Sequence, residues 1–319
     1  MAVPTNTSQT YNVTTIREDI SDVVDKVSPT ETPFYSMLGK SGKAENTYHE
    51  WSEVSLDTAT DSNEVVEGDD PGVDAANNAV RLGNYCQLSD KQVQVSSTNN
   101  AVSGVGDVQT LAQQVVLKGQ ALKLDMEKQM LSNKAASAGS SSTARRSASF
   151  ISFIRTNASR GSGGAAPTLS GTTAGYPNAA PTDGTQRTFT ETLLKAVLQS
   201  IWSNGGNAKF AFMGATQKQT ASTFTGNATR FKEAEDKKLT AAIDVYVSDF
   251  GEIQFVPSRL MRSRDVICVD PNMAAIDFLQ PMKQVDLAKT GHSDKKLISV
   301  EYVLKVRNEK AHGHVADLS

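Results

Sequence analysis

Between Ala44 and Val80 the chain carries ten acidic side chains and not one lysine or arginine. They are Glu45, Glu50, Glu53, Asp57, Asp61, Glu64, Glu67, Asp69, Asp70 and Asp74. Like charges at this density repel one another in a free-standing segment, so they are better placed facing cations elsewhere, including cations on another copy. Strand-like pieces bracket the block, Thr47 to Leu56 before it and Val80 to Ser96 after it. The turn-forming run Gly68-Asp69-Asp70-Pro71-Gly72 lies between them. The pattern predicts a long β-hairpin with an acidic end.

The rest of the composition suits a molecule that projects such a hairpin. A length of 319 residues allows one or two compact domains. Hydrophobic residues make up 38% and charged residues 21%, which is folded-protein composition of modest hydrophobicity. Ala, Ser, Thr, Asn and Gly are plentiful, which favours an extended, loop-rich subunit that buries surface against neighbours. A net charge of -3 argues against a dedicated nucleic-acid binder, though not against a protein lying near packed DNA. Cys86 and Cys268 read as reduced thiols. No run approaches the ~18 apolar residues of a membrane span, and the polar start from Met1 to Thr15 lacks a signal-peptide pattern. The expectation is a product made soluble in a cytoplasm.

Along the chain, residues 1–15 read as a polar arm. Ile16, Ile20, Val23, Val24 and Val27 then fall at helical spacing, and Ser28-Pro29 ends that segment. Thr32-Pro33-Phe34-Tyr35 reads as an extended piece with two exposed aromatics. The longest helix is predicted over 107–133, capped by Asp107 and spanning roughly 40 Å at 1.5 Å per residue. Val108, Leu111, Val115, Leu122, Met126 and Met130 form one apolar stripe on it; Leu117, Leu124 and Leu131 form another. Two stripes suggest a spine covered on two sides, studded with Lys118, Lys123, Lys128 and Lys134.

Phe150 to Ile154 reads as a short strand and Gly161 to Asp183 as loop. A helix over 188–205 carries a Thr188–Glu191 capping box, a buried face of Leu194, Val197, Leu198, Ile201 and Trp202, and a Gly205 stop. A small mixed unit follows: a strand Lys209 to Met213, a helix Gln217 to Phe224, and a hairpin Ala242 to Val247 with Glu252 to Val256. A strand Val266 to Val269 and a short helix Met273 to Leu279 complete it. Ile298, Val300, Tyr302, Leu304 and Val306 alternate as a final half-buried strand. Ala311 to Ser319 reads as a short polar tail.

Motifs that carry chemistry are missing from this order. Gly39-Lys40-Ser41-Gly42-Lys43-Ala44 lacks the spacing and the terminal Ser or Thr of a phosphate-binding loop. Asp249-Phe250-Gly251 matches a kinase tripeptide without its companion motifs and reads as a turn. His312 and His314 could share a strand face and chelate a metal, but an exposed strand end is the simpler reading. The acidic hairpin fits no calcium-loop spacing. No cofactor, metal or catalytic residue is expected.

A set of local patterns recurs in order along the chain. In the arm the pattern is Val27-Ser28-Pro29-Thr30-Glu31-Thr32-Pro33-Phe34; entering the hairpin it is Asn46-Thr47 with Glu50-Trp51. Glu67-Gly68 stands at the tip, and Asn84 and Gln87 on the return. Trp202 to Gly206, Tyr246 to Gly251, Val256-Pro257-Ser258-Arg259 and Ala288-Lys289-Thr290-Gly291 follow, then Glu301-Tyr302 and Asn308-Glu309-Lys310-Ala311. Taken together these patterns resemble the major head proteins of tailed bacteriophages with the Hong Kong 97-type capsid fold, in a podovirus-typified branch. The resemblance implies an α+β capsid fold with an N-terminal arm at 1–40 and an extended loop at 41–100. It implies a peripheral domain at 101–189, an axial domain at 190–285, and a return strand at 286–319 completing the peripheral domain. It also implies hexamers and pentamers closing into an icosahedral shell around double-stranded DNA, in a virion assembled in the host cytoplasm. Portal, scaffolding and decoration proteins are conceivable partners of such a shell, and a membrane is not.

Within that frame the expected inter-subunit contacts pair Glu64, Glu67, Asp69 and Asp70 with bases such as Lys118, Lys123, Arg145 or Arg146. Phe34, Tyr35 and Trp51 serve as apolar anchors. Exposed ion pairs contribute at most about 1 kcal/mol each, so they set register more than affinity. The alternatives are a cellular nanocompartment shell of the same fold, a hydrolase with loop-borne residues, and a secreted surface protein.

Overall fold

A computed structural model of the chain describes residues 30–57, 59–70, 72, 75–102, 110–224 and 245–319. The expected arm at 1–15, the amphipathic segment from Ile16, the Asp107 cap and the start of the hairpin at Ala242 lie outside those residues.

Two sheets organise the molecule. The first is antiparallel, in the order β11-β12-β3, formed by Ala274–Asp286 (β11), Ser293–Val306 (β12) and Gln87–Ser96 (β3). The alternating residues of β12 point Ile298, Val300, Tyr302 and Leu304 toward the helix Leu111–Met130 (α3), which meets them with Leu122, Met126 and Met130. The helix is shorter than the sequence suggests: it starts at Leu111, where Thr110 caps it by accepting from the Gln113 amide at 3.4 Å. Twenty residues give ~30 Å of spine. The other face of β12 is also covered, since Val303 packs against Ala44 and Cys86. The strand is therefore buried on both faces through its middle and not half-buried as its alternation implied.

The second sheet has six strands in the order β4-β13-β10-β7-β9-β8. Its members are Ala158–Ser159 (β4), Phe210–Met213 (β7), Val245–Ser248 (β8), Gly251–Pro257 (β9), Val266–Val269 (β10) and Gly313–Val315 (β13). The helix Glu191–Ser203 (α4) covers one face through Leu194, Val197, Leu198 and Ile201, spaced as one apolar stripe. Gly205, at φ 82°, ends it in the left-handed conformation. A short helix, Ala215–Ala221 (α5), follows β7.

Several expectations are corrected here. Pro33–Met37 (α1) is a helical turn, and Phe34 is wholly buried against Phe150 and Phe212, with both ring centroids 5.3 Å away. Phe150–Ser152 is a helical turn and not a strand. Thr190, without a side-chain bond, stands at the N-cap of α4 in place of the Thr188–Glu191 box, because Glu191 is drawn to the Tyr246 hydroxyl at 2.7 Å. Trp202 is 59% exposed, beyond the edge of the buried stripe. The expected helix at 273–279 belongs to β11: Asp270 caps a turn at Pro271–Met273, after which Ala274 to Asp277 enter the sheet fully buried.

The polar-looking tail is core, since residues 311–318 are all buried. It supplies β13 at an inner position of the six-stranded sheet. β4 and β13 both fall outside 190–285, and β11 falls within it but for Asp286. The tail also explains the histidines. His314 Nε2 lies 3.0 Å from Asp265, and His312 is buried with Nδ1 accepting from the Asp270 amide at 3.2 Å. Burial pushes the His312 imidazole down to about 4, which keeps it neutral.

Candidate assembly site

The acidic segment leaves the body on a two-stranded stem, Tyr48–Glu53 (β1) against Val80–Tyr85 (β2), in register from Tyr48↔Tyr85 to Glu53↔Val80. The predicted return strand is divided at Cys86. Residues up to Tyr85 pair with β1, and residues from Gln87 join the three-stranded sheet. Beyond the stem, every described residue from Val54 to Ala79 is exposed. Glu64, Glu67, Asp69 and Asp70 are among them, so no part of the body covers these carboxylates. Four apolar side chains share that exposure: Val54 at 56%, Leu56 at 90%, Val65 at 79% and Val66 at 76%.

The base of the projection is firmly held. Asp277 of β11, 1% exposed, accepts from the Ser41 amide at 3.0 Å, the Gly42 amide at 2.9 Å and the Ser41 hydroxyl at 2.8 Å. His49 Nε2 of β1 stands 3.2 Å from the same carboxylate, and Lys305 Nζ of β12 stands 4.0 Å from it. Burial opposes ionisation of Asp277, but the bonds from His49 and Ser41 and the charge of Lys305 outweigh it and hold the carboxyl down at about 2. One side chain thus ties the strap before the hairpin, the stem and the sheet together. Asn84 does the same for β2: its amide donates to Leu304 O at 2.8 Å and Ser147 Oγ at 3.0 Å, and its oxygen accepts from the Ala148 amide at 2.9 Å. Neither role carries a motif. The one available signal was Asn84 itself, a polar residue among strand residues.

The other residues singled out in the sequence scatter. Trp51 is 8% exposed on the stem, with Lys305 Nζ 6.0 Å from its ring centre. Phe34 is inside its own subunit and offers nothing to a neighbour. Tyr35 is half-buried, and its amide donates to Glu127 Oε2 at 3.1 Å. Burial raises the Glu127 carboxyl, with the amides of Tyr35 and Phe34 opposing that rise. Arg145 is engaged within the chain, 2.5 Å from Glu301, and Arg146 Nε donates to Ala135 O at 2.9 Å. Lys118 and Lys123 remain exposed on α3.

Two open clefts flank these elements. One of about 700 Å³ lies between β3 and the first half of α3, lined by Gln92 to Ser96, Gln114 and Lys118. The other, of about 710 Å³, lies at the far end of the six-stranded sheet beside Trp202, Phe250 and Val245. Among the described residues no cluster of three or more His, Cys, Asp or Glu is placed to hold a metal ion, and no helix is long and apolar enough to cross a membrane. Both thiols are buried, which pushes Cys86 up to about 11 and Cys268 up to about 12.

A spine helix on a sheet, a second mixed sheet and a projecting loop match viral shells along their full length. The chain superposes on the capsid of a native GTA particle with TM-score 0.63 at 13% identity, covering 97% of this chain and 98% of that one. It matches the capsid asymmetric unit of cyanophage A-1(L) with TM-score 0.62 at 12% identity, covering 97% and 98%. The capsid of cyanophage P-SCSP1u gives TM-score 0.62 at 11% identity, covering 98% and 96%. These likenesses define the fold class: α+β, of the Hong Kong 97 type seen in phage capsids.

The SU10 major capsid protein family matches residues 3–319, so the chain belongs to that family and has a structural, shell-forming role. The major capsid protein of Escherichia phage Phieco32 is 33% identical over 112 residues. That match spans 35% of this chain and 32%, about a third, of the relative.

Proposed function

We propose that this chain assembles through hexamers and pentamers into an icosahedral phage head enclosing double-stranded DNA, with the acidic projection laid across an adjacent copy. The observation that carries the reading is the projection itself, exposed at every described residue from Val54 to Ala79 and carrying apolar side chains that its own subunit leaves in water. A soluble monomer has little reason to display such a segment; a shell subunit completes its burial in trans. Charge supports the same partner. The projection holds seven of the 35 acidic residues and no lysine or arginine, which leaves the rest of the chain with 28 acids against 32 bases, a net of +4. A negative arm and a positive body on every copy favour head-to-tail contact, with the charges choosing register and partner.

Lys118 and Lys123 are the candidate receivers; Arg145 and Arg146 already serve their own subunit. The domain assignment follows the resemblance: a peripheral unit around the spine helix and three-stranded sheet, and an axial unit around the six-stranded sheet. The test is assembly after charge reversal at Glu64, Glu67, Asp69 and Asp70. The variant subunit folds normally, since all four are exposed, and fails to close shells at moderate salt. Normal shells from that variant would sink the proposal.

A further inference from the structure

We propose that Tyr48, Tyr85 and Tyr176 form an oxidation site at the root of the projection, where a one-electron oxidant couples Tyr85 to Tyr176 as a dityrosine. The site lies wholly within one subunit, so it stands apart from where the projection lands. Tyr48 and Tyr85 are directly opposite each other at the body end of the stem. Tyr176 comes from the short hairpin of Thr168–Leu169 (β5) and Pro177–Ala179 (β6). Backbone bonds hold that hairpin against the stem: the Gly175 amide donates to Arg81 O at 2.9 Å, and Gly175 O accepts from the Gly83 amide at 3.1 Å. The stem is shaped for the rings as well. A Cβ on Gly83 would lie 2.5 Å from the Tyr48 ring, so glycine is what lets that ring cross the neighbouring strand.

The three rings form one cluster. Their centroids lie 4.8 Å apart for Tyr48 and Tyr85, 5.0 Å for Tyr85 and Tyr176, and 6.1 Å for Tyr48 and Tyr176. Among the described residues no other two tyrosine rings are in contact, and Tyr246 and Tyr302 are wholly buried. Phenylalanine would pack here as well; tyrosine adds three hydroxyls at one spot, with those of Tyr85 and Tyr176 close enough to interact. Dityrosine joins the carbons beside the hydroxyls, so this meeting of oxygens brings the reacting carbons together. The 73° between the Tyr85 and Tyr176 planes suits a bond whose two rings stay twisted. All three side chains are half-buried, so a small oxidant reaches them while packing holds them in place. Burial raises the Tyr48 and Tyr85 phenols, which therefore meet the oxidant protonated. Tyr85 and Tyr176 each give one electron to the oxidant and the hydroxyl proton to water. The two phenoxyl radicals form one carbon–carbon bond, and the hydrogens on the joined carbons move to the oxygens as the rings regain aromaticity. The chain loses two hydrogen atoms in all, and the stem is pinned to the hairpin. A radical formed first on Tyr48 is refilled by an electron and proton from Tyr85, so Tyr48 widens the capture of the site.

The test exposes the full-length chain to a photo-activated ruthenium tris-bipyridyl complex with persulfate, which accepts both electrons, and maps the digest by mass spectrometry. The expected product is a monomer two hydrogens lighter, with blue dityrosine emission and with the Tyr85 and Tyr176 peptides joined. Tyr85→Phe and Tyr176→Phe keep the ring packing and each lose most of the emission; Tyr48→Phe lowers it severalfold. The same dose given in urea, where the rings are apart, gives a severalfold lower yield. In the linked chain the Gly83 and Gly175 amides exchange hydrogen severalfold more slowly. A folded chain without the joined peptide, emission that survives urea or Tyr176→Phe, or linkage found only between chains overturns the assignment. Emission untouched by Tyr48→Phe removes Tyr48 from the site, and unchanged exchange at Gly83 and Gly175 overturns the pinning.

Discussion

Replacing Asp277 with asparagine keeps the shape of the clamp at the hairpin base and removes its charge. The folded carboxyl sits at about 2 against an ordinary 3.8. At 1.36 kcal/mol per unit, that difference favours the folded state by roughly 2 kcal/mol. Because the folded value is depressed, the contribution is complete above about pH 4 and is lost as pH falls through about 2. The wild type is therefore expected to exceed Asp277→Asn by roughly 2 kcal/mol at pH 7 and by about half of that near pH 3. Urea unfolding followed by tryptophan emission reads the effect, since Trp51 is buried beside Lys305 and His49. A Trp202→Phe background isolates that signal, Trp202 being largely exposed. Stabilities within about 0.5 kcal/mol of each other at pH 7, or a gap unchanged at pH 3, would refute the reasoning.

Phe34→Ala empties a fully buried site between two edge-on rings and is expected to lower stability by about 3–5 kcal/mol in the same unfolding assay; a loss under about 1 kcal/mol would mean the strap is not docked on the core. The His312 imidazole should stay neutral down to about pH 4 in a proton NMR titration. Its folded value is depressed, so its contribution is present above the ordinary 6.5 and is lost as pH falls toward 4; titration near 6.5 would contradict the burial.

The elements with strong periodicity were readable in the residues. β12, α4 and the β8–β9 hairpin lie close to where alternation, the 3.6-residue stripe and the Asp249-Phe250-Gly251 turn put them. The acidic hairpin was legible for the same reason, because turn formers and charge leave few alternatives. What failed was context. The buried tail reads as polar because Gly313, His314 and Asp317 are satisfied by partners more than a hundred residues away in several cases, such as Asp317 accepting from Gly161 at 2.9 Å and Gly184 at 2.8 Å. The run from Ala274 looked helical by composition but is recruited by ten residue pairs with β12, so tertiary pairing overrode local preference. Phe34 looked exposed because its pocket is built from Phe150 and Phe212, which no local pattern connects to it. The clamp at Asp277 was invisible because its partners come from three separate stretches of chain.

The most direct measurement is hydrogen exchange over residues 54–79 in unassembled subunits and in closed shells. Fast exchange in the free subunit, giving way to protection once the shell has formed, is the expected result. If those amides exchange equally fast in both states, the projection finds no cover on a sister copy and the assembly role assigned to it is wrong.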